Sequence, residues 1–437
     1  MDRLDEGSVF VEYEDAIDIR SGETGRLGEI SDFIDAIATE LWEVNKTIHD
    51  NPELGYEEFI AHETLTTFLS SRDGWKVTPS AYGLATAWVA VFDSGRKGPV
   101  VSFNVEMDAL EGIGHACGHN LIATASVAGG LAVAERLRQG EVGGRVVLFG
   151  TPAEEGGGGK IRLLEAGAYR DHQVDINLLS HPGITKNHAL MRTSAYTAFR
   201  AEYVGREAHA AANPWLGINA LDALITAYNA LSVLRQQTMP GDVIQGNITD
   251  GGVRPNIIHA YAAGNFVVRA DTQARLRELK TKVDACFAAG AVATGATLTM
   301  SPVQSYADHV PNRPLGDRYR RHFNRLSSPP DLIPDNPGVD EIEGRTMAST
   351  DQGNISYAMP SLNVGFSIPA GPGGAGPHNP GFAEAAGTKI AFENCLRVGK
   401  AMAAVAVDVL ADPDLLDKVK KEWEQDIRQS MASSRSD

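Results

Sequence analysis

The chain has 437 residues, with 39 lysines and arginines against 56 aspartates and glutamates, which gives a formal net charge of −17. Single cores seldom grow beyond roughly 250–300 residues, so we expect more than one domain. The negative charge repels phosphate backbones and argues against a nucleic-acid partner. No apolar run approaches the roughly 18 residues that a membrane span needs, so we expect no membrane partner.

The beginning of the chain and its cysteine content favour the cytoplasm as the compartment of this protein. The first 30 residues are polar and acidic, lack the apolar stretch of a secretory signal, and are predicted to form a loose arm. The chain has three widely spaced cysteines, Cys117, Cys286 and Cys395. An odd, sparse set does not suit a disulfide framework, so we expect a cytoplasmic protein.

The first half of the chain alternates helical and strand patterns. Apolar residues at helical spacing predict a helix from Ser31 to Asn51 and a second helix near residues 56–70. Apolar strands are then predicted at residues 99–107, 145–152 and 174–182, with helices between them. This alternation predicts an α/β class domain with a mostly parallel sheet and helices on both faces.

The pattern changes near Ser194. The following segment has the element order β-α-β-β-α-β, which is the ferredoxin-like split unit, and the first pattern resumes after it. We therefore predict a main domain in two parts, residues 1–193 and 306–437, with a second domain of residues 194–305 inserted between them.

The densest group of potential metal ligands follows the first predicted parallel strand. Cys117 and His119 stand two residues apart among glycines, which let the backbone turn both side chains toward one centre. A thiolate and an imidazole form a good ligand pair for zinc or a similar divalent ion. Two alternatives remain open: an inert thiol beside structural histidines, or a Cys117 nucleophile with His119 as its base.

The second group follows the next strand, where Glu154 and Glu155 are adjacent. Two carboxylates at a strand end suit a division of roles in which one binds a metal and the other acts as general base. The alternative is a solvated acidic turn. A phosphate-binding loop at Gly159-Lys160 is excluded because Ile161 stands where that motif needs serine or threonine.

The positions of two single histidines make them candidate metal ligands. His181 ends the third predicted strand, and His378 lies in a late loop rich in glycine and proline. A lone histidine is more often structural. However, parallel strands direct their carboxyl ends to one edge of a sheet, so the ligand groups after three successive strands are expected to converge there.

The inserted domain carries a third set of polar residues. His209 follows its first strand, and Arg254 and Asn256 lie in a predicted turn between two strands. Arginine and asparagine near each other suit the recognition of a carboxylate, although an ordinary turn explains them equally well.

In this order, these groups resemble the aminoacylase/carboxypeptidase-G family of metal-dependent peptidases and amidohydrolases. The resemblance spans about Ser31 to Leu410 and includes NPELGYEE, CGH, PAEE, the inserted unit and the late histidine. Within the family, the segments EMDALEGIGHACGHNLIA, GTPAEEGGGGKI, HAAANPWLGINALDA, YNALSVLRQQ and GGVRPNII are similar to the Xaa-Arg (β-alanyl-lysine) dipeptidase branch. The chain departs from many family members by having Glu106 where they have histidine or aspartate.

The resemblance implies a catalytic domain with two divalent metal ions, zinc with manganese or cobalt as substitutes, and a lid domain that forms a homodimer. Glu154 would be the general base and Asp108 a carboxylate supporting the metal site. His209 would stabilise the oxyanion in a partner's site, while Arg254 and Asn256 would bind substrate. The implied metal ligands are Cys117, His119, Glu155, His181 and His378.

The expected function is therefore metal-dependent hydrolysis of an amide bond in dipeptides or N-acyl amino acids. Within this class, the branch points to dipeptides ending in a basic residue, whose side chain could meet an acidic group such as Glu384. A general N-acyl-amino-acid or aminobenzoyl-glutamate-type amidohydrolase is the alternative. The alternative of another class is a non-catalytic dimeric scaffold.

Overall fold

The computed structural model describes residues 15–328 and 330–432, with the backbone alone for residues 15–24. The strands are β1 (Trp75–Pro79), β2 (Trp88–Asp93), β3 (Val100–Glu106), β4 (Arg145–Thr151), β5 (Ile176–Gly183), β6 (Ala195–Val204), β7 (Val243–Asp250), β8 (Tyr261–Ala270), β9 (Thr297–Tyr306) and β10 (Ser361–Ser367). The helices are α1 (Asp15–Ala36), α2 (Ala38–Asp50), α3 (Phe59–Ser70), α4 (His119–Arg138), α5 (Gly159–Glu165), α6 (Ala168–Asp171), α7 (Ala220–Leu234), α8 (Gln273–Thr294), α9 (Arg313–Arg325), α10 (Pro337–Glu343), α11 (Gln352–Ala358), α12 (Pro380–Ala386), α13 (Lys389–Ala411) and α14 (Pro413–Met431).

A six-stranded sheet organises the first and last parts of the chain. Its order is β1-β2-β4-β3-β5-β10. Parallel pairing joins β4 to β3, β3 to β5, and β5 to β10. Antiparallel pairing joins β1 to β2 and β2 to β4. The mixed α/β class is thus confirmed, with parallel pairing in the part of the sheet that carries the ligand groups.

Helices cover both faces of this sheet. On one face, α4 and α13 pack over side chains such as Phe103 of β3. On the other face, Phe149 of β4 packs with Leu163 and Tyr169 from α5 and α6. Because the parallel strands are buried on both sides, they are apolar almost throughout, which is why the sequence pattern identified them.

The second sheet has the order β7-β8-β6-β9 and is antiparallel throughout. Its element order is β6-α7-β7-β8-α8-β9, in agreement with the pattern in the sequence. Helices α7 and α8 pack against the sheet around three aromatic rings, Phe199, Phe266 and Phe287.

The prediction of a loose arm was wrong for residues 25–30, which belong to the part of α1 that packs on the core. Its side chains Leu27, Ile30 and Ile34 are at most 5% exposed and join the main core. This helical spacing of apolar residues explains why the segment docks. The helix predicted from Ser31 is divided at Ile37, where α1 ends and α2 begins. The part of the arm at residues 1–14 lies outside the described residues.

Among the described helices, none has both the length and the apolar character that crossing a bilayer requires.

Candidate metal centre

The ligand groups predicted after three strands meet at one edge of the six-stranded sheet. Glu106 is the last residue of β3, Glu154 follows β4, and His181 lies near the carboxyl end of β5. Gly118 permits the approach of the loop after β3, because its φ is +75° and a Cβ there would lie 2.5 Å from Cγ of Pro182. Only glycine fits this position without strain.

Asp108 fixes the orientation of the buried His119 ring. Its Oδ1 lies 3.2 Å from His119 Nδ1, and its Oδ2 accepts a hydrogen bond of 2.8 Å from the backbone N–H of Glu155. When His119 is neutral and donates its Nδ1 proton to Asp108, the lone pair is on Nε2. One carboxylate therefore orients the imidazole and ties the loop after β3 to the loop after β4.

The free nitrogen of His119 faces three carboxylates. His119 Nε2 lies 3.4 Å from Glu106 Oε2, 3.8 Å from Glu155 Oε1 and 3.9 Å from Glu154 Oε2. His119 Nε2 is buried and has no hydrogen-bond partner among the described residues. A lone pair directed at carboxylate oxygens is repulsive unless a cation lies between them, so this cluster fits a divalent ion.

Further ligand atoms extend the cluster across the sheet edge. Cys117 Sγ lies 3.3 Å from His181 Nε2, and His378 Nε2 lies 3.3 Å from Glu155 Oε1. The other ring nitrogen of His181 lies 2.9 Å from the carbonyl oxygen of Pro182, which leaves Nε2 facing the cluster.

The potential ligands form overlapping sets. Within each set one ligand atom per residue lies within 4.8 Å of the others: Cys117, His119 and His181; Cys117, Glu155 and His378; His119, Glu154 and Glu155. Cys117, His119 and Glu155 are each shared between two of these sets. Overlapping sets of thiolate, imidazole and carboxylate fit two neighbouring divalent ions, with zinc among those such donors suit.

The pKa directions show the same concentration of negative charge. Burial, then the neighbouring Glu106 and Glu155, raises the pKa of Glu154 well above its usual range. Burial and Glu155 likewise raise the pKa of the Cys117 thiol. Burial alone would lower the pKa of His119, but Asp108 raises it well above the usual value. Without a cation the cluster therefore favours protons at these positions.

A buried lysine, whose only signal in the sequence was the excluded phosphate motif, neutralises part of this charge. Lys160 Nζ lies 2.7 Å from Glu106 Oε1 and 2.5 Å from Asp351 Oδ1, and all three side chains are completely buried. The backbone N–H of Lys160 also donates to the second oxygen of Asp351, at 2.9 Å. Lys160 and Asp351 are far apart in the chain, so no local pattern could have paired them.

A cavity of about 740 Å³ opens from the metal cluster toward the second sheet. Arg269 of β8 lies on its wall, where it donates a hydrogen bond of 2.9 Å to Ser349 Oγ and packs over the Tyr196 ring. Among the described residues no carboxylate lies within ion-pair distance of Arg269. Nothing in the sequence marks Arg269 as functional, because it resembles any other polar residue of a half-exposed strand.

The functional residues predicted between β6 and β8 lie together, but apart from the metal cluster. His209, Arg254 and Asn256 are all exposed, and the backbone N–H of Ala210 donates to the carbonyl oxygen of Asn256 at 3.0 Å. None of the three side chains lines the cavity of its own chain. The fold therefore gathers seven predicted positions around one centre, adds Glu106 to them, and leaves these three outside it.

The chain is similar to known hydrolases over most of its length. Residues 98–391 match the model of peptidase family M20/M25/M40. The Xaa-Arg dipeptidases of Mus musculus and Homo sapiens are 38% and 37% identical to it, each over 89% of this chain and 90% of the relative. The p-aminobenzoyl-glutamate hydrolase of Escherichia coli has a component that is 28% identical, over 91% of this chain and 94% of the relative.

The fold also matches solved structures. A Bacillus subtilis protein described as a dinuclear metal-binding peptidase of the M20 family superposes with a TM-score of 0.64 at 17% identity, covering 86% of this chain and 99% of that one.

Replacement of Lys160 by methionine should destabilise the chain strongly, because it leaves Glu106 and Asp351 buried without their shared cation. Removing one partner of a buried ion pair costs about 3–5 kcal/mol. The free energy of unfolding in urea, measured on the metal-free protein, tests this. Lys46→Met is the matched control, because Lys46 forms a surface pair with Asp50 and should lose about 0.5 kcal/mol or less. Equal losses in the two variants would contradict the assigned role of Lys160.

Proposed function

The chain belongs to peptidase family M20/M25/M40, and on that premise we propose that it hydrolyses an amide bond of dipeptides or N-acyl amino acids in a metal-dependent reaction. The observation that carries the proposal is the buried Nε2 of His119, which faces three carboxylates beside an open cavity. Such a cluster is costly in a folded protein and fits a site for divalent cations.

Each residue of the centre has a proposed role. Cys117, His119, Glu155, His181 and His378 would hold two divalent ions, zinc with manganese or cobalt as substitutes. The ions, when bound, would supply Lewis-acid polarisation of the scissile carbonyl and a water of lowered pKa. Asp108 would hold the His119 ring in its ligating orientation.

Glu154 is the proposed general base. The residue is 6% exposed and lies at the wall of the cavity, where its carboxylate can take a proton from the attacking water and deliver it to the leaving amine nitrogen. Tyr306 holds this loop in place, because its hydroxyl donates to the carbonyl oxygen of Glu154 and accepts from the backbone N–H of Gly158.

We propose dipeptides with a basic C-terminal residue as substrates, in line with the names of the mammalian relatives. The E. coli relative supports the aminobenzoyl-glutamate-type alternative. Arg269, a cation without an acidic partner among the described residues of the cavity wall, is available for a substrate carboxylate.

A cytoplasmic location is proposed as well, because all three cysteines are free.

In a homodimer, the predicted residues that lie outside the cavity of their own chain would contribute to the site of the second copy. We propose that residues 194–305 form the lid domain of a catalytic domain made of residues 1–193 and 306–437. His209, Arg254 and Asn256 would then reach the cavity of a second copy, with His209 stabilising the oxyanion and the other two binding substrate. Exposed apolar side chains lie beside them, with Trp215 75% and Val253 91% exposed, as a protein contact surface would require.

Substitutions at the two adjacent glutamates test the division of roles. Glu154→Gln should keep bound metal and lose turnover of β-alanyl-lysine by about 10²–10⁴-fold, because proton transfer is removed. Glu155→Gln should lose metal affinity as well, because a ligand oxygen is removed. Turnover is measured as released amine, and metal content by elemental analysis. Near-normal turnover in Glu154→Gln would refute its role as base.

A wild-type protein that cleaves no dipeptide or N-acyl amino acid with added metal would favour a non-catalytic scaffold.

Mixed dimers test whether His209 acts in a partner's site. His209→Ala and Glu154→Gln should each be nearly inactive alone, since each lacks one required group. After the two variants exchange protomers, one site per heterodimer contains both groups, and amine release should recover to a substantial fraction of the wild-type rate. No recovery in protomers shown to have exchanged, or a monomer by light scattering, would contradict the arrangement.

A further inference from the structure

The cavity contains a second group of unpaired polar atoms, distinct from the residues of the metal cluster. Glu343, His188 and Asn363 all line the cavity. Glu343 Oε2, His188 Nδ1 and both amide atoms of Asn363 are buried without a hydrogen-bond partner among the described residues. Asn363 is only 1% exposed and His188 only 5% exposed. Buried polar groups are costly when unpaired, so these atoms point to a polar ligand group that this part of the cavity receives.

The fold places this group beside the metal centre. Asn363 and Gly365 lie on β10, and Gly365 is in register with His181 on β5. The backbones of His188 and Gly365 exchange hydrogen bonds of 2.9 and 3.0 Å. A Cβ at position 365 would lie 2.9 Å from Met191 Cε and 3.2 Å from His188 Cδ2. Glycine at 365 therefore lets the His188 segment pack directly against the strand next to the one carrying His181.

The unpaired atoms favour a ligand with several hydrogen-bond donors and a positive charge. Glu343 supplies a carboxylate oxygen and Asn363 an amide oxygen, while Asn363 Nδ2 is a donor and His188 Nδ1 lies 3.9 Å from the carboxylate of Asp340. Glu343 Oε1 is paired with Lys186 at 2.8 Å, but the Lys186 side chain is 73% exposed. An exposed pair of this kind contributes about 0–1 kcal/mol, so it leaves Glu343 available to a second cation.

The neighbouring arginine side chains form no ion pair with Glu343. Arg345 also lines the cavity, and its guanidinium is paired with Asp271 at 2.6 Å rather than with Glu343. Arg269 donates a hydrogen bond to Ser349 and forms no ion pair with Glu343. An apolar substrate side chain would leave the carboxylate and the amide of Asn363 unsatisfied when it displaced water from the cavity.

We propose that Glu343, together with Asn363 and His188, forms the subsite that binds the cationic side chain of the substrate, a lysine, ornithine or arginine. The inference rests on the proposed amide hydrolase function and names the residues that would make it selective. It replaces the expectation from the sequence that Glu384 meets this side chain, because Glu384 is exposed and does not line the cavity.

A pair of substrates that differ in one charge tests the subsite. β-Alanyl-lysine and β-alanyl-norleucine share four side-chain carbons, but only lysine carries the ammonium group. The metal-loaded wild type should have a kcat/KM at least tenfold higher for the lysine substrate. In Glu343→Gln, which keeps the shape and removes the charge, the ratio of the two kcat/KM values should fall about tenfold or more. Asn363→Ala should lower the ratio in the same direction.

The control is Glu384→Gln, which removes the same charge from a surface position and should keep the wild-type ratio. A ratio within twofold of wild type in Glu343→Gln, or an equal fall in Glu384→Gln, would overturn the proposal. If the wild type cleaves neither substrate, the proposed function fails and calorimetric titration with free L-lysine and L-norleucine decides the subsite. Lysine binding at least tenfold weaker in Glu343→Gln would support the subsite alone, and equal binding in both proteins would overturn it.

Discussion

The structure depends on how buried negative charge is balanced at one edge of the six-stranded sheet. Glu106, Asp108, Glu154 and Asp351 are each at most 6% exposed, and Glu155 adjoins them. Ionised carboxylates are expensive to remove from water unless cations accompany them. Lys160 provides one positive charge for this group, and the geometry around His119 leaves room for divalent ions to provide the rest. Stability and catalysis are coupled here. The cations that offset the charge of the buried carboxylates are the same ions that would activate the attacking water.

The arrangement of the loops follows from this requirement. Asp108 links the loops after β3 and β4 by contacting His119 and the backbone of Glu155. Gly118 brings the Cys117 loop against Pro182, next to His181. The cavity that extends from this centre carries two further polar features, Arg269 and the Glu343 group. A ligand with a carboxylate at one point and a cation at another matches both, which is the chemistry of a basic amino acid.

Much of this could be predicted from the sequence, because the parallel strands are continuously apolar and the ligand groups follow them directly. The convergence of Cys117, Glu154 and His181 needed only the rule that parallel strands end at one edge. The edge strand β10 was missed because its short apolar run has no ligand motif beside it. Lys160 and Asp351 were missed because they are 191 positions apart in the chain and meet only in the fold. Glu343 looked like one acidic residue among many, and only burial of its oxygen distinguishes it.

The central claim is that divalent cations occupy the space among His119, Cys117 and the carboxylates. Elemental analysis of the purified protein, before and after chelation and after reloading, tests it most directly when amine release is measured on the same samples. The account predicts two divalent ions per chain that are lost together with activity and restored together with it. A chain without bound metal that still hydrolyses an amide, with turnover insensitive to chelators, would contradict it.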